Sequence, residues 1–217
     1  APLTLPQVKN IIGVASGKGG VGKSMLSVNL SAALSLQGLS VGILDADIYG
    51  PSLSLLMNIT ERPIVQEGKL VPIYKYNIPM MSVGFIYEEG PLMWRGPLAQ
   101  TALKQLFKDV LWPSLDILVV DLPPGTGDIQ LTFAQAIPVK AALVISTAHK
   151  ISLIDAEKAI GMFQQINVPI LGIVENMAQY TCATCGSSNR IIPSQGLDAL
   201  LQKEKMIKPL NCGMWEN

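Results

Sequence analysis

Residues Gly17–Ser24 read Gly-Lys-Gly-Gly-Val-Gly-Lys-Ser and fit the phosphate-binding pattern G-x-x-x-x-G-K-S/T. In such a loop the glycines let backbone N–H groups turn onto phosphate oxygens, Lys23 places a charge at the terminal phosphates, and the Ser24 hydroxyl can ligate Mg²⁺. An apolar run before the loop predicts a buried strand, and a helical stretch after it adds a dipole that favours anions. We therefore predict a nucleoside triphosphate site. Its candidate contacts are Gly17, Gly19, Gly20, Val21, Gly22, Lys23, Ser24 and Met25.

Three aspartates follow apolar runs that suit buried strands. We expect Asp121 to support Mg²⁺ beside the phosphate loop, and the segment Pro123–Gly127 to sense the terminal phosphate through backbone N–H groups. We expect Asp47 to orient the attacking water, and Asp45, which would project the same way in an extended chain, to support the metal or the switch. Helix capping by Asp121 and turn formation by the other two are the structural alternatives.

Three further polar residues are candidates for a role at this site, or for a structural role. A phosphate cradle does not require Lys18, so its cation could reach a nucleotide held by a facing subunit, as an arginine finger does, or be a solvated loop lysine. Asn176 offers an amide that can donate to and accept from a purine edge, or can form a turn. The single histidine, His149, has no neighbouring acid or nucleophile, so we assign it no catalysis.

Cys182 and Cys185 form one C-x-x-C motif, which supplies half the ligands of a tetrahedral zinc site or an iron–sulfur cluster. A two-fold dimer would join two such pairs into a four-cysteine site on its axis. Zinc held with other partners and a thioredoxin-like redox pair are the alternatives, and the motif's late position weakens the redox alternative. The third cysteine, Cys212, receives no role.

Composition narrows the class of protein. A chain of 217 residues suits one α/β domain. Lys plus Arg and Asp plus Glu both total 16, so no charge excess favours nucleic acid or an anionic membrane as a partner. The hydrophobic fraction of 49% suits strands covered on both faces, no apolar run has the length of a membrane span, and residues 1–7 lack a secretory pattern. We expect a reducing compartment.

Apolar runs alternate with helix-compatible segments, which predicts an α/β fold with a mainly parallel, doubly wound sheet flanked by helices. Functional residues should then lie at the carboxyl ends of the strands. We interpret residues 1–217 as a single domain, in which 49–97 is an insertion with a hairpin or short edge strands and 177–196 is a cysteine-bearing loop. The predicted strands are Ile11–Ala15, Val41–Leu44, Ile117–Val120, Ala141–Ser146 and Ile170–Val174, and the predicted helices are Met25–Leu36, Gln100–Lys108, Ile129–Ala136 and Leu153–Gln165.

These motifs together resemble a known family. The loop resembles the deviant Walker A motif of dimeric P-loop ATPases related to MinD, ArsA and nitrogenase iron protein. Further strings are similar to the Mrp/NBP branch of iron–sulfur cluster carriers, which includes mitochondrial Ind1-like proteins. Those strings are Asp45-Ala-Asp-Ile-Tyr-Gly-Pro-Ser, Trp94-Arg-Gly-Pro, Val120-Asp-Leu-Pro-Pro-Gly-Thr-Gly-Asp, Val174-Glu-Asn-Met and Cys182-x-x-Cys.

The resemblance implies a homodimer that binds ATP between protomers, hydrolyses it slowly and holds a bridging 4Fe–4S cluster for delivery to apo iron–sulfur proteins. It implies a cytoplasmic or mitochondrial-matrix protein without an integral membrane segment. The implied roles are a signature lysine for Lys18, phosphate and Mg²⁺ binding for Lys23 and Ser24, water orientation for Asp47, and cluster ligation for Cys182 and Cys185.

The end of the chain limits the transfer from the family, and one alternative function remains. Its members continue past the cysteines through a further strand and helix, so we expect this chain to lack the last strand and part of the pocket for the base. The alternative function is a MinD-like, ATP-driven assembly or positioning switch with structural zinc or no metal. The C-x-x-C motif favours the carrier over the switch.

Overall fold

The computed structural model describes residues 4–86, 96–193, 195–204 and 210–211. Cys212 and the pair Trp94-Arg95 lie outside the described residues. The helices are α1 (Lys23–Leu36), α2 (Leu53–Leu56), α3 (Gly96–Asp109), α4 (Asp128–Ala136), α5 (Lys150–Gln165) and α6 (Gln195–Lys203). The strands are β1 (Val8–Ala15), β2 (Val41–Asp45), β3 (Val65–Gln66), β4 (Lys69–Leu70), β5 (Ile73–Lys75), β6 (Ile78–Ser82), β7 (Leu115–Asp121), β8 (Ala141–Ser146), β9 (Ile170–Glu175), β10 (Gln179–Thr181), β11 (Ser188–Arg190) and β12 (Leu210–Asn211).

Eight strands form one sheet in the order β12-β9-β8-β1-β7-β2-β6-β5. Every pair in it is parallel except β5 with β6. The mainly parallel α/β fold predicted from the sequence is therefore confirmed. Parallel neighbours end at the same edge of the sheet, so the loops after β1, β2, β7 and β9 lie on one side of the molecule.

The core explains why the sheet is covered by helices. Leucines recur every four residues along α1 and pack on valines of β1, β2 and β7, including Val119. The neighbours of Val119 in the chain, Leu118 and Val120, belong instead to a larger apolar cluster that contains Phe107 of α3 and Phe133 of α4. Since successive residues of a strand point to opposite faces, both faces of β7 are buried.

Two sequence-based expectations about the sheet are corrected. Residues 49–97, interpreted as an insertion, supply β6, which is buried along its length and pairs in parallel with β2. The expected hairpin is present where β5 folds back on β6. The last strand is not wholly missing, because Leu210–Asn211 pair with Val174 and Glu175. This pairing satisfies part of the otherwise open edge of β9.

Candidate functional site

The loop between β1 and α1 presents unpaired backbone amides to a pocket. Gly20 and Gly22 have φ of +79° and +94°, a conformation that glycine adopts without strain. No side chain caps α1 in the described chain, and its first intrahelical bond runs from Leu26 N to Gly22 O. The first-turn amides of Ser24 and Met25 therefore have no intrahelical acceptor and can bind an anion. The adjoining pocket of about 470 Å³ is lined by Gly19, Lys23, Ser24, Met25, Asp47 and Tyr49, among others.

Lys23 lies between two carboxylates at the floor of this pocket. Its side chain is only 6% exposed, and its Nζ is 2.8 Å from Asp121 Oδ1 and 3.3 Å from Asp47 Oδ2. Ser27, one helical turn further on, places its Oγ 3.0 Å from the same Asp121 oxygen. The structure thus brings together three residues that the sequence predicted for the triphosphate site, and Ser27 is an addition.

Asp47 forms a turn and also faces the pocket. Its Oδ1 accepts backbone N–H bonds from Tyr49 and Gly50, each at 3.2 Å, while its Oδ2 faces Lys23. One oxygen therefore fixes the loop, and the other remains directed to the cation. Asp47 therefore forms the turn that the structural alternative predicts and also faces the pocket. Its orientation of the attacking water stays a prediction.

Asp45 supports the loop and does not line the pocket. Its Oδ1 accepts from Asp47 N at 3.0 Å, and its Oδ2 accepts from Ser52 N, Leu53 N and Ser82 Oγ at 3.0–3.1 Å. Both oxygens accept hydrogen bonds from the chain, which favours the support role over ligation of Mg²⁺ for Asp45, and that role stays a prediction. Burial, reinforced by the negative charge of Asp121, raises the pKa of Asp45 to about 6.

The segment after Asp121 is tied to the phosphate loop through its backbone. Gly125 N donates to Ser16 O at 2.9 Å, and the Gln130 side-chain amide donates to the carbonyl of Pro124, which lines the pocket. The amide of Gly125 is therefore used within the protein. Sensing of the terminal phosphate by other backbone amides of the segment stays a prediction.

The start of the phosphate loop packs against α5. A Cβ at Gly17 would lie 2.1 Å from the backbone carbonyl carbon and oxygen of Asp155, whereas a Cβ at Gly19 would meet open space. Gly17 is required for this close approach of the backbone. Lys18, next to it, is exposed. His149 caps α5, since its Nδ1 accepts from Ile151 N at 3.4 Å.

Asn176 braces the phosphate loop from the end of β9. Its Nδ2 donates to Val21 O at 2.9 Å and sits 2.3 Å from where a Cβ on Gly22 would be. Its Oδ1 is buried and has no partner among the described residues. The Nδ2 group thus supports the loop, and contact of Asn176 with a nucleotide base stays a prediction.

Cys182 and Cys185 lie at the turn of a short hairpin formed by β10 and β11. Cys182 N donates to Ser187 O at 2.9 Å, Gly186 N donates to Cys182 O at 2.8 Å, and Gly186 has φ of +69°. Cys185 is exposed, and its Sγ is 3.1 Å from Ser187 Oγ. Hydrogen bonds from the Ser187 side chain and backbone, and then from Cys182, lower the pKa of the Cys185 thiol, which favours its thiolate form.

Residues 7–211 match the family described as ParA, NUBPL iron-transfer P-loop NTPase. The chain belongs to this family. The iron-sulfur cluster carrier protein of Escherichia coli K12 is 50% identical over 199 residues, which are 90% of this chain and 54% of that protein. The mitochondrial iron-sulfur protein required for NADH dehydrogenase of Arabidopsis thaliana is 47% identical over 197 residues, 89% of this chain and 63% of that protein. The chain spans a little over half the length of these curated relatives.

Solved structures show a similar fold. The nucleotide-binding protein from Archaeoglobus fulgidus was solved in complex with ADP. Its structure matches this chain with a TM-score of 0.84 and 34% sequence identity, and the match covers 97% of this chain and 84% of that one. The cell division ATPase MinD of Pyrococcus furiosus has a TM-score of 0.63 and 21% identity, over 93% and 81% of the two chains, and shows the fold. Among the residues that the structure describes, no helix has the length and apolar character needed to cross a bilayer.

Sequence reasoning missed two residues that hold the cysteine hairpin of this NUBPL-type NTPase. Glu175, at the end of β9, is 1% exposed and forms an ion pair with Arg190 at the end of β11. The Arg190 Nε also donates to Ile192 O at 3.4 Å. A charged residue directly before Asn176 in an otherwise apolar strand was the available signal for Glu175, and nothing local marks Arg190.

Proposed function

We propose that two copies of this chain bind ATP and hold one 4Fe–4S cluster between them for delivery to apo iron–sulfur proteins. The observation that carries this proposal is the cysteine pair on an exposed turn. Within the described residues there is no group of three or more His, Cys, Asp or Glu side chains that could hold a metal ion. The described part of one chain supplies two cysteine thiolates to a cluster that takes four, and a two-fold partner would supply the others.

The chemistry of the thiol pair and the names of the relatives support cluster cargo. The pKa of Cys185 is lowered, so the thiolate form that binds iron is favoured, and both cysteines are accessible in one chain. Relatives from Escherichia coli and Dictyostelium discoideum are named for iron–sulfur cluster carriage and transfer. Reduced thiols require a reducing compartment, so we place the protein in a bacterial cytoplasm or a mitochondrial matrix.

We assign the nucleotide chemistry to residues that surround the pocket. Lys23 and the amides of Gly19–Met25 would bind the phosphates, with Ser24 and Asp121 supporting Mg²⁺, whose bound charge would assist phosphoryl transfer. The donors fit a magnesium ion, because Asp47 and Asp121 place two carboxylates against the single Lys23 cation. Asp47 would orient the attacking water, and the Asn176 Oδ1 would accept from an amino group of the base.

Lys18 completes the proposed site from the facing subunit. It belongs to the phosphate loop, yet it is exposed while Lys23 is buried. A cation directed out of its own loop can stabilise the transferred phosphoryl group of a partner's ATP only after two copies meet. Hydrolysis would then be slow in isolated chains and coupled to assembly.

The test is the iron and sulfide content of protein purified without oxygen, with its mass in solution. We expect about four iron and four sulfide per dimer, and their loss in Cys182→Ala with ATP binding retained. Colourless protein with one zinc per dimer would favour the assembly switch instead. Failure of the intact protein to bind ATP with or without magnesium in calorimetry would contradict the nucleotide half of the proposal.

A further inference from the structure

The hairpin that carries the cysteines has little packing of its own. Both β10 and β11 are exposed along their whole length. At the base of the hairpin, Ile191 N donates to Ala178 O at 3.3 Å, and the side-chain link to the sheet is the ion pair between Arg190 and Glu175. Because an exposed two-stranded hairpin is marginally stable in water, its orientation depends on such links.

The contacts of Arg190 restrain the orientation of the hairpin as well as its distance from the sheet. The Glu175 carboxylate is buried, and a buried charge requires its partner. The Arg190 guanidinium is planar and serves two acceptors at once, the Glu175 carboxylate and the carbonyl of Ile192 where the chain leaves the hairpin. The strand end β11 is therefore held at two points by one side chain.

The end of β9 also contacts the phosphate loop. Asn176, directly after Glu175, donates its amide to Val21 O at 2.9 Å and its backbone N–H to Ser146 O at 2.8 Å. Two successive residues after the apolar part of β9 thus reach two different sites. Glu175 holds the cysteine hairpin, and Asn176 holds the loop that we assign to the triphosphate.

We propose that Arg190 is a positioning residue for cluster binding, which acts through Glu175 to hold the Cys182–Cys185 turn in a fixed orientation to the phosphate loop. This inference rests on the proposed function. In a two-fold assembly both hairpins would contribute ligands, and four thiolates must meet one cluster. Because the two copies are identical, any displacement of the hairpin occurs in both of them. A loosely held hairpin would still offer thiols, but its cluster would be lost faster.

The experiment compares cluster loss among matched variants reconstituted without oxygen. Removing Arg190 alone would leave the buried Glu175 carboxylate without its partner. The main variant is therefore Glu175→Gln/Arg190→Met, which removes both charges and keeps similar side-chain volumes. We expect its cluster to pass to an iron chelator about ten-fold faster than that of the wild type, as for other residues that support metal ligands. We expect an altered visible circular dichroism of the cluster and ATP affinity within about two-fold.

Two further variants separate positioning from general stability. Arg190→Lys keeps the charge but loses the second contact, and we expect an intermediate rate, about three-fold above wild type. Glu157→Gln/Lys203→Met removes another ion pair, between α5 and α6, and we expect an unchanged rate.

Equal rates of cluster loss in the wild type and Glu175→Gln/Arg190→Met, with ATP binding intact, would overturn the inference. If the double variant does not fold, Arg190→Lys carries the test alone, and a wild-type rate and spectrum there would overturn it. Wild-type protein that takes up no cluster would contradict the proposed function, and this inference with it.

Discussion

The phosphate loop and the cysteine hairpin differ in how completely one chain builds them. At the loop, Lys23 is buried between two carboxylates, and the buried Asp45 beside it accepts four hydrogen bonds. At the hairpin, both strands are exposed and the thiols number two. The nucleotide site is therefore a product of core packing within one chain, whereas the proposed metal site is a product of assembly.

The largest effect on ATP binding should come from Lys23→Met at the buried site. This change removes the buried ammonium and leaves Asp47 and Asp121 facing the phosphates without a cation. We expect ATP affinity to fall several hundred-fold, about 3–4 kcal/mol, measured by calorimetry. Reconstitution of the cluster should still succeed, because the hairpin does not contact Lys23. A Lys23→Met variant that also loses the cluster would contradict the independence of the phosphate loop and the cysteine hairpin.

Lys18→Met is the matched control within the same loop. Because Lys18 is exposed in its own chain, we expect the affinity for ATP to stay within about two-fold. The hydrolysis rate of the dimer should fall by about 10³, the smaller end of the range for a charge supplied in trans. Equal losses of affinity in the two lysine variants would contradict the assigned roles.

Packing of the loop against α5 gives the second prediction. In Gly17→Ala the new methyl group would lie 2.1 Å from the backbone of Asp155, which cannot rotate away as a side chain would. We expect the free energy of unfolding to fall by about 2–3 kcal/mol in urea denaturation. Gly19→Ala, whose methyl group meets open space, should change it by less than about 0.5 kcal/mol. Similar values for both variants would show that the loop is not held as described.

This asymmetry between the sites also explains what the sequence could predict. The strand–loop–helix unit around Gly17–Ser24 and the aspartates at strand ends are local patterns with one physical solution, and the structure brings Lys23, Asp47 and Asp121 together. From the sequence, residues 49–97, which contain β6, are interpreted as an insertion because the segment does not follow the alternation of apolar runs and helices. In the fold, Pro79 faces Tyr74 of β5, and the neighbouring residues pair with β2.

Long-range partners could not be predicted from the sequence. The four donors that surround Asp45 come from residues two to thirty-seven positions away, and only the folded loop shows that they occupy both oxygens. Arg190 meets Glu175 only because the hairpin register places it at the base. Composition and periodicity carry no information on such pairs, since they depend on which elements become neighbours.

Asp45 gives a pH dependence that the exposed hairpin should lack. Burial and the nearby Asp121 raise its pKa to about 6 from 3.8, so folding favours the protonated acid. Its contribution to the free energy of unfolding is fully present below pH 3.8 and is lost as the pH rises through about 6. Relative to Asp45→Asn, the wild type should therefore lose about 2 kcal/mol between pH 4 and pH 7 in magnesium-free urea titrations.

An exposed carboxylate provides the control for this pH effect. The hydrogen bond from Lys9, and then that from Ser40 N, lower the pKa of Asp116. Relative to Asp116→Asn, the wild type should gain stability as the pH rises through the acid range, opposite to Asp45. A stability difference between wild type and Asp45→Asn that does not change with pH would show that the Asp45 carboxylate is ionised without penalty in the folded chain.

The smallest effect should appear at the hairpin, where solvent screens each interaction. The Ser187 hydroxyl is the main group that lowers the pKa of Cys185, so Ser187→Ala should raise that pKa and reduce the thiolate fraction at pH 7. We expect alkylation of Cys185, followed on its peptide by mass spectrometry, to slow about three-fold. The effect is limited because hydrogen bonds from the Ser187 amide and Cys182 would still lower the pKa. Ser188→Ala, one residue further along β11, should leave the rate unchanged. If both serine variants behave alike, the thiolate is favoured by the turn's backbone, and the hairpin is more rigidly organised than its exposure indicates.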